Sequence, residues 1–248
     1  MKHALGLSIV LLLAALAGPA GAQEVTIDLG GENALTLQAV QLFLLITVLS
    51  LAPGIAIMMT CFPFMVTVLS ILRQAVGVQQ APPNMMIVSL ALFLTYFVMA
   101  PVFEAAWEQG IEPMVAGQMS AEQAFSASMG PFRLFMESRV DPATVTALAE
   151  AAPSSPDPVI GENGEERTPL SLLIPSFLLS EIKRGFEVGF LVFLPFLVID
   201  LVVASILMSM GMMMVPPAVV SLPFKLAFFV VADGWTLLAG ALVRGYGA

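Results

Sequence analysis

Cysteine, histidine and charge are all scarce in this chain of 248 residues. Its single cysteine, Cys61, excludes an internal disulfide framework. Its single histidine, His3, lies in a stretch expected to be removed on maturation. A mature chain without histidine cannot run a Ser-His-Asp triad, a Cys-His pair or a histidine-based zinc site. The expectation is no enzyme, no catalytic residue, no metal and no cofactor. Charged residues make up 11% of the sequence, against about a quarter in ordinary globular domains. Nine Lys and Arg face eighteen Asp and Glu, for a net charge of −9. Neutralising phosphates needs clustered basic side chains, so nucleic acid is excluded as a partner.

Apolar residues fill the space that charge leaves. They account for 58% of the chain, and the mean hydropathy is +0.95. No charge falls between Glu32 and Arg73, or between Arg73 and Glu104. Such runs belong in a lipid bilayer. Residues 1–22 read differently, with a basic start at Lys2, an apolar run Leu5–Leu16, a Gly18-Pro19 break and Ala20-Gly21-Ala22. That is the pattern of a secretory signal peptide cut between Ala22 and Gln23. The competing reading is a retained signal-anchor helix, which the run is too short to form comfortably, since about 20 apolar residues are needed to span.

Four long apolar stretches follow, near 37–60, 85–103, 188–210 and 218–241. With Gln23 outside the cytoplasm, four crossings return the C-terminus outside and leave 104–168 outside as well. That segment holds eleven acids and three bases, a charge of −8. An acidic, base-poor external loop agrees with the positive-inside rule. Within it, 117–150 reads as helix and Pro153–Glu166 as a loop. Proline interrupts the apolar stretches at Pro53, Pro195, Pro216-Pro217 and Pro223. Broken helices at membrane depth need a protein interior around them, so assembly with other membrane subunits is expected.

Three charges sit inside the last two apolar stretches: Asp200, Lys225 and Asp233. Intramembrane ionisable groups are functional candidates, usually paired or facing a wet cavity. If Gly211–Pro217 turns one helix back on the next, Asp200 and Lys225 lie at similar distances from the turn, about 17–20 Å at 1.5 Å per residue. Asp233, eight residues further, would fall on nearly the same helix face as Lys225. These residues read either as a structural ion pair fixing the register or as a proton relay or substrate contact. Neither aspartate lies in the Gly-x-Gly-Asp run of an aspartyl intramembrane protease. The turn itself, Met208-Ser209-Met210-Gly211-Met212-Met213-Met214, places five methionines in seven residues. Thioethers are soft copper(I) ligands, but no Cys or His lies nearby in sequence. Ordinary lipid-facing or core filling is a second reading. A deformable apolar constriction is a third, because methionine is unbranched and repacks readily.

Several runs resemble one family. Met58-Met59-Thr60, Leu72-Arg73-Gln74-Ala75, Ala81-Pro82-Pro83-Asn84 and Leu90-Ala91-Leu92-Phe93-Leu94-Thr95 are similar to the front half of FliP proteins. Ile174-Pro175-Ser176-Phe177-Leu178-Leu179-Ser180-Glu181-Ile182, then Gly185-Phe186-Glu187-Val188-Gly189-Phe190, resembles one signature of that family. The run from Pro195 to Met214 resembles the other, and Ser221-Leu222-Pro223-Phe224-Lys225-Leu226 with Asp233-Gly234-Trp235 completes the pattern. The likeness covers most of 55–240. The sequence departs from the family at Pro63, Phe64 and Ser89, where Ser or Thr, a basic residue and Gly are usual.

The resemblance implies a membrane subunit of the flagellar type III export gate, in the bacterial inner membrane and the flagellar basal body. It implies a homo-oligomeric ring, with five copies expected, joined by FliQ-like and FliR-like subunits and other export-apparatus and basal-body proteins. Unfolded flagellar subunits would pass through its centre, and Met210, Met212, Met213 and Met214 would form the gasket that seals it. Asp200, Lys225, Asp233 and Glu181 would be buried charges that matter for assembly. The expected fold is all-α: a polytopic membrane protein with about four long, proline-broken helices in two hairpins and an external helical and loop segment. The expected divisions are 1–22 signal peptide, 23–103 N-terminal hairpin, 104–168 acidic periplasmic segment and 169–248 C-terminal hairpin. The competing expectation is an ion-coupled small-solute transporter using the intramembrane Asp and Lys. Such transporters normally carry more spans and an internal repeat.

Overall fold

In the computed structural model the described residues are 32–78, 82–152, 159–160, 166–212 and 214–246. The signal segment, with Ala22 and Gln23, and Met213 of the turn lie outside them. The chain divides into two units, residues 1–49 and 50–248. Helix α1, Glu32–Met58, begins in the first and runs as one helix past Pro53-Gly54. Where described, its side chains are exposed from Ala39 onward.

In the second unit the core is built around α2, Phe62–Val76, which starts with Pro63 in its first turn and stops at Gly77 in the left-handed conformation (φ 84°). Its buried residues, Phe64, Met65, Val68, Leu69, Leu72 and Ala75, follow the three-and-four spacing of a helix face. That face packs on α7, Leu170–Ser209, a helix of 40 residues. Two glycines make the approach close. A Cβ at Gly185 would meet Thr67 Cβ at 3.0 Å, and one at Gly189 would overlap the Ile71 side chain. Small residues four apart let apolar helices bring their backbones together.

Helix α3, Asn84–Ala106, continues through a π-helical turn, Trp107–Ile111, into the short α4, Glu112–Val115. Helix α5, Ala121–Arg139, opens with a capping box between Ser120 and Gln123. It packs against the π turn at Gly110, where a Cβ would overlap Ser128 and meet the Ala124 carbonyl oxygen at 2.5 Å. Helix α6, Pro142–Ala151, is capped by the Asp141 side chain. The Lys183 ammonium, 2.9 Å away, and the Ala143 N–H hold the Asp141 carboxyl below the usual range. A two-residue antiparallel pair, β1 Val159–Ile160 and β2 Glu166–Arg167, precedes α7. Helix α8, Pro217–Val231, packs back on α7, and α9, Gly234–Arg244, leaves it at a bend of 61°.

The fold is thus almost wholly helical. Three helices are long and apolar enough to cross a membrane, Ala39–Met58, Asn84–Val115 and Leu170–Ser209, and the bent α8–α9 pair makes a fourth candidate. Three expectations need correction. Most of the named prolines do not break helices: Pro53, Pro195 and Pro223 lie inside continuous ones, as do Pro101 and Pro175, and of the expected breaks only Pro216-Pro217 stands at a helix start. A proline removes one donor, and neighbouring helices and local adjustments can re-satisfy the freed groups. The segment 117–150 is two helices, parted at Val140-Asp141 where the Asp141 cap begins α6. Asp233 does not share a face with Lys225, because the helix ends between them at Ala232 and Asp233 adopts a left-handed backbone (φ 48°).

Candidate functional site

The methionine turn is made by local rules. Helix α7 ends at Ser209, and Gly211 takes φ 75° just past the end. The Gly211 N–H donates to the Met208 carbonyl and the Met212 N–H to that of Leu207. Those two bonds form a Schellman motif, which explains why a glycine sits among the methionines. Pro217 then opens α8 at the helix position where a missing N–H costs least. The turn projects its side chains outward: Met210 is exposed, Met212 sits at the edge of exposure, and Met214 is 98% exposed. Behind them an apolar cavity of about 520 Å³ is lined by Val198, Val202, Ile206, Met210, Met212 and Phe224 among others. Among the described residues, no three His, Cys, Asp or Glu side chains cluster to hold a metal.

A polar node lies further along α7 and α8. Lys225 Nζ is 2.6 Å from Asp200 Oδ2, and Ser221 Oγ donates to Asp200 Oδ1 at 2.6 Å. The lysine is almost fully buried, while the carboxylate is one-third exposed. Nζ also donates to the Ala75 carbonyl oxygen at 3.0 Å. Ala75 lies in the last turn of α2, where carbonyls are unpaired and the helix dipole favours a cation. One ammonium therefore ties α2, α7 and α8 together. Asp233, exposed at the α8–α9 bend, takes no part.

Glu181 anchors a second node. Its side chain is fully buried, and Oε1 accepts from Arg139 Nε at 3.3 Å and Arg184 Nη1 at 3.1 Å. Tyr246, two residues from the end of the sequence, donates its hydroxyl to Glu181 Oε2. The Arg139 guanidinium lies 3.8 Å from the Tyr246 ring centroid. Burial and the neighbouring carboxylate push the Tyr246 phenol far up, so it stays a donor. A buried carboxylate is tolerable only with such partners. The node fastens α5, α7 and the C-terminal tail to one another. Arg184, three residues from Glu181, has helical spacing that sequence could have flagged. Arg139, Tyr246, Ser221 and the Ala75 carbonyl carry no such signal, being 21 to 150 residues from their partners.

Residues 45–242 match the FliP family. A flagellar biosynthetic protein FliP of Caulobacter vibrioides is 51% identical over 249 residues, which cover 99% of this chain and 92% of that protein. The FliP of Rhizobium meliloti is 44% identical, with 96% and 97% covered. That of Bacillus subtilis is 41% identical, with 84% and 91% covered. The matched region takes in the methionine turn, the Asp200–Lys225 pair and Glu181, and the chain belongs to the FliP family.

Proposed function

We propose that this chain is a pore-forming subunit of the flagellar type III export gate, passing unfolded flagellar subunits across the bacterial inner membrane. The observation that carries this reading is the methionine turn, an exposed thioether cluster held between two apolar helices by a Schellman stop and a proline start. Copies arranged in a ring, five by expectation, bring Met210, Met212, Met213 and Met214 of each copy to a common axis. There the unbranched side chains close on one another and yield to passing polypeptide. FliQ-like and FliR-like subunits complete the gate, which belongs to the basal body. Residues 1–22 are a signal peptide cut between Ala22 and Gln23, and 104–168 faces the periplasm. The first part, 23–103, and the last, 169–248, supply the helices of the pore. Asp200, Lys225 and Glu181 hold those helices in register, and Asp233 sets the α8–α9 bend.

In cells lacking this protein, flagellar subunits should be absent from the medium and return when the natural sequence is supplied. Replacing the four methionines together by Ala removes apolar surface worth about 25 cal/mol per Å². The closed state then weakens, so small ions should leak through an assembled gate that still exports in part. Leu keeps the volume with less flexibility and should seal better than Ala but export less well than Met. An Ala variant that assembles and stays tight would remove the gasket. Normal secretion without the chain would remove the export role.

A further inference from the structure

A second cavity, about 600 Å³, opens between α7 and the inside of the α8–α9 bend. Its lining is apolar along Val188, Val192, Phe196, Phe229 and Leu238, and its charged lining residues, Arg139 and Arg184, both come from the Glu181 node. That size is ordinary for a small-ligand site. Two guanidiniums share one carboxylate there, and no other described carboxylate forms a salt bridge with either. One positive charge is left over. Each guanidinium has five N–H groups and uses two on protein acceptors. Arg184 is more than a third exposed, so its free donors are within reach of a ligand.

Polarity along α7 changes in step with the cavity. Glu181, Lys183, Arg184 and Glu187 form its charged stretch, and Val188–Ile199 carries no charge. From Arg184 to Phe196 is twelve residues, about 18 Å of helix. Half of a hydrocarbon core of about 30 Å is about 15 Å. The basic mouth and the apolar wall of the cavity thus match in length the headgroup and one acyl layer of a phospholipid. Guanidiniums recognise phosphate oxygens through paired, charge-assisted hydrogen bonds.

We propose that this cavity holds an anionic phospholipid, its phosphate on Arg184 and Arg139 and one acyl chain along Val188–Phe196 against the α8–α9 bend. The lipid neutralises the leftover charge and fills the apolar space that the bend leaves open. The test is the phospholipid content of the full chain purified in mild detergent, measured by mass spectrometry after delipidation and exposure to phosphatidylglycerol or phosphatidylcholine vesicles. The natural chain should retain phosphatidylglycerol in near-stoichiometric amount and phosphatidylcholine poorly. Arg184→Gln should lower phosphatidylglycerol retention about tenfold or more, since it removes charge-assisted bonds. Ala241→Phe, at an exposed position lining the cavity, should block it without touching the Glu181 node. Arg244→Gln, outside the cavity, should leave retention unchanged. Equal loss in Arg184→Gln and Arg244→Gln would mean general surface charge and overturn the proposal. So would equal retention of the two lipids, unaltered retention in Ala241→Phe, or a photo-crosslinker at Leu237 that captures protein in place of lipid. The readout is bound lipid, so it stands or falls apart from the export reading.

Discussion

Asp200 and Lys225 illustrate what a buried charge needs from its neighbours. The ammonium has two acceptors, the Asp200 carboxylate and the Ala75 carbonyl, and the carboxylate has two donors, Lys225 and Ser221. Removing either member strands the other, at a cost of about 3–5 kcal/mol for a buried pair. The partial exposure of Asp200 places Lys225→Ala at the lower end, because water can solvate the orphaned carboxylate. Asp200→Ala leaves the more deeply buried group uncompensated and should be the worse of the two. The double change should cost less than the sum, and a double-mutant cycle on thermal unfolding in detergent reads this directly. Strict additivity would mean that the two charges do not act as a pair.

At the scale of elements, glycine decides where helices meet. Two contacts depend on a missing Cβ but differ in what opposes it. At Gly189 the obstacle is the Ile71 side chain, whose far end can swing aside. At Gly110 it is Ser128 and the backbone carbonyl of Ala124, and a carbonyl within a helix cannot move alone. Gly189→Ala should therefore cost about 1–3 kcal/mol, the usual range for overpacking. Gly110→Ala should do more visible harm, prising the π turn off α5. Limited proteolysis within 104–152 would detect that release, and equal protection of the two variants would contradict it. The same scale explains the prolines: left-handed residues at Gly77, Gly211 and Asp233 follow the helix ends, while prolines sit within helices.

For the whole molecule, the largest fact is how much apolar surface it leaves uncovered. The 20 residues Ala39–Met58 have none of their window buried, and the apolar windows of the other two long helices are only 28% and 17% buried. Bilayer can cover such faces, and in the proposed ring further copies or other subunits would cover the exposed side chains of Met210 and Met214. Exposed apolar surface, and not broken helices, is what assembly would cover. Extracted gently, the protein should migrate as a ring-sized oligomer whose first residue is Gln23. N-terminal sequencing and light scattering check both points, and a monodisperse monomer retaining Met1 would count against each.

Composition and run length alone establish the membrane character and the helical class, because burying backbone in hydrocarbon leaves few alternatives to helix. The methionine turn was equally legible, since Gly211 and Pro216-Pro217 act through bonds spanning five residues or fewer. Counting residues from that turn puts Asp200 and Lys225 at one depth, as rigid helices convert sequence distance into length. The rest was settled by packing. Nothing near Glu181 in sequence announces Arg139 or Tyr246, 42 and 65 residues away. Nothing near Lys225 announces the carbonyl of Ala75. The bend at Asp233 has no proline to mark it, and it opens the second cavity. Local rules reach about one helical turn. Which buried charge meets which partner depends on how whole helices lie against each other, and that only the folded chain decides.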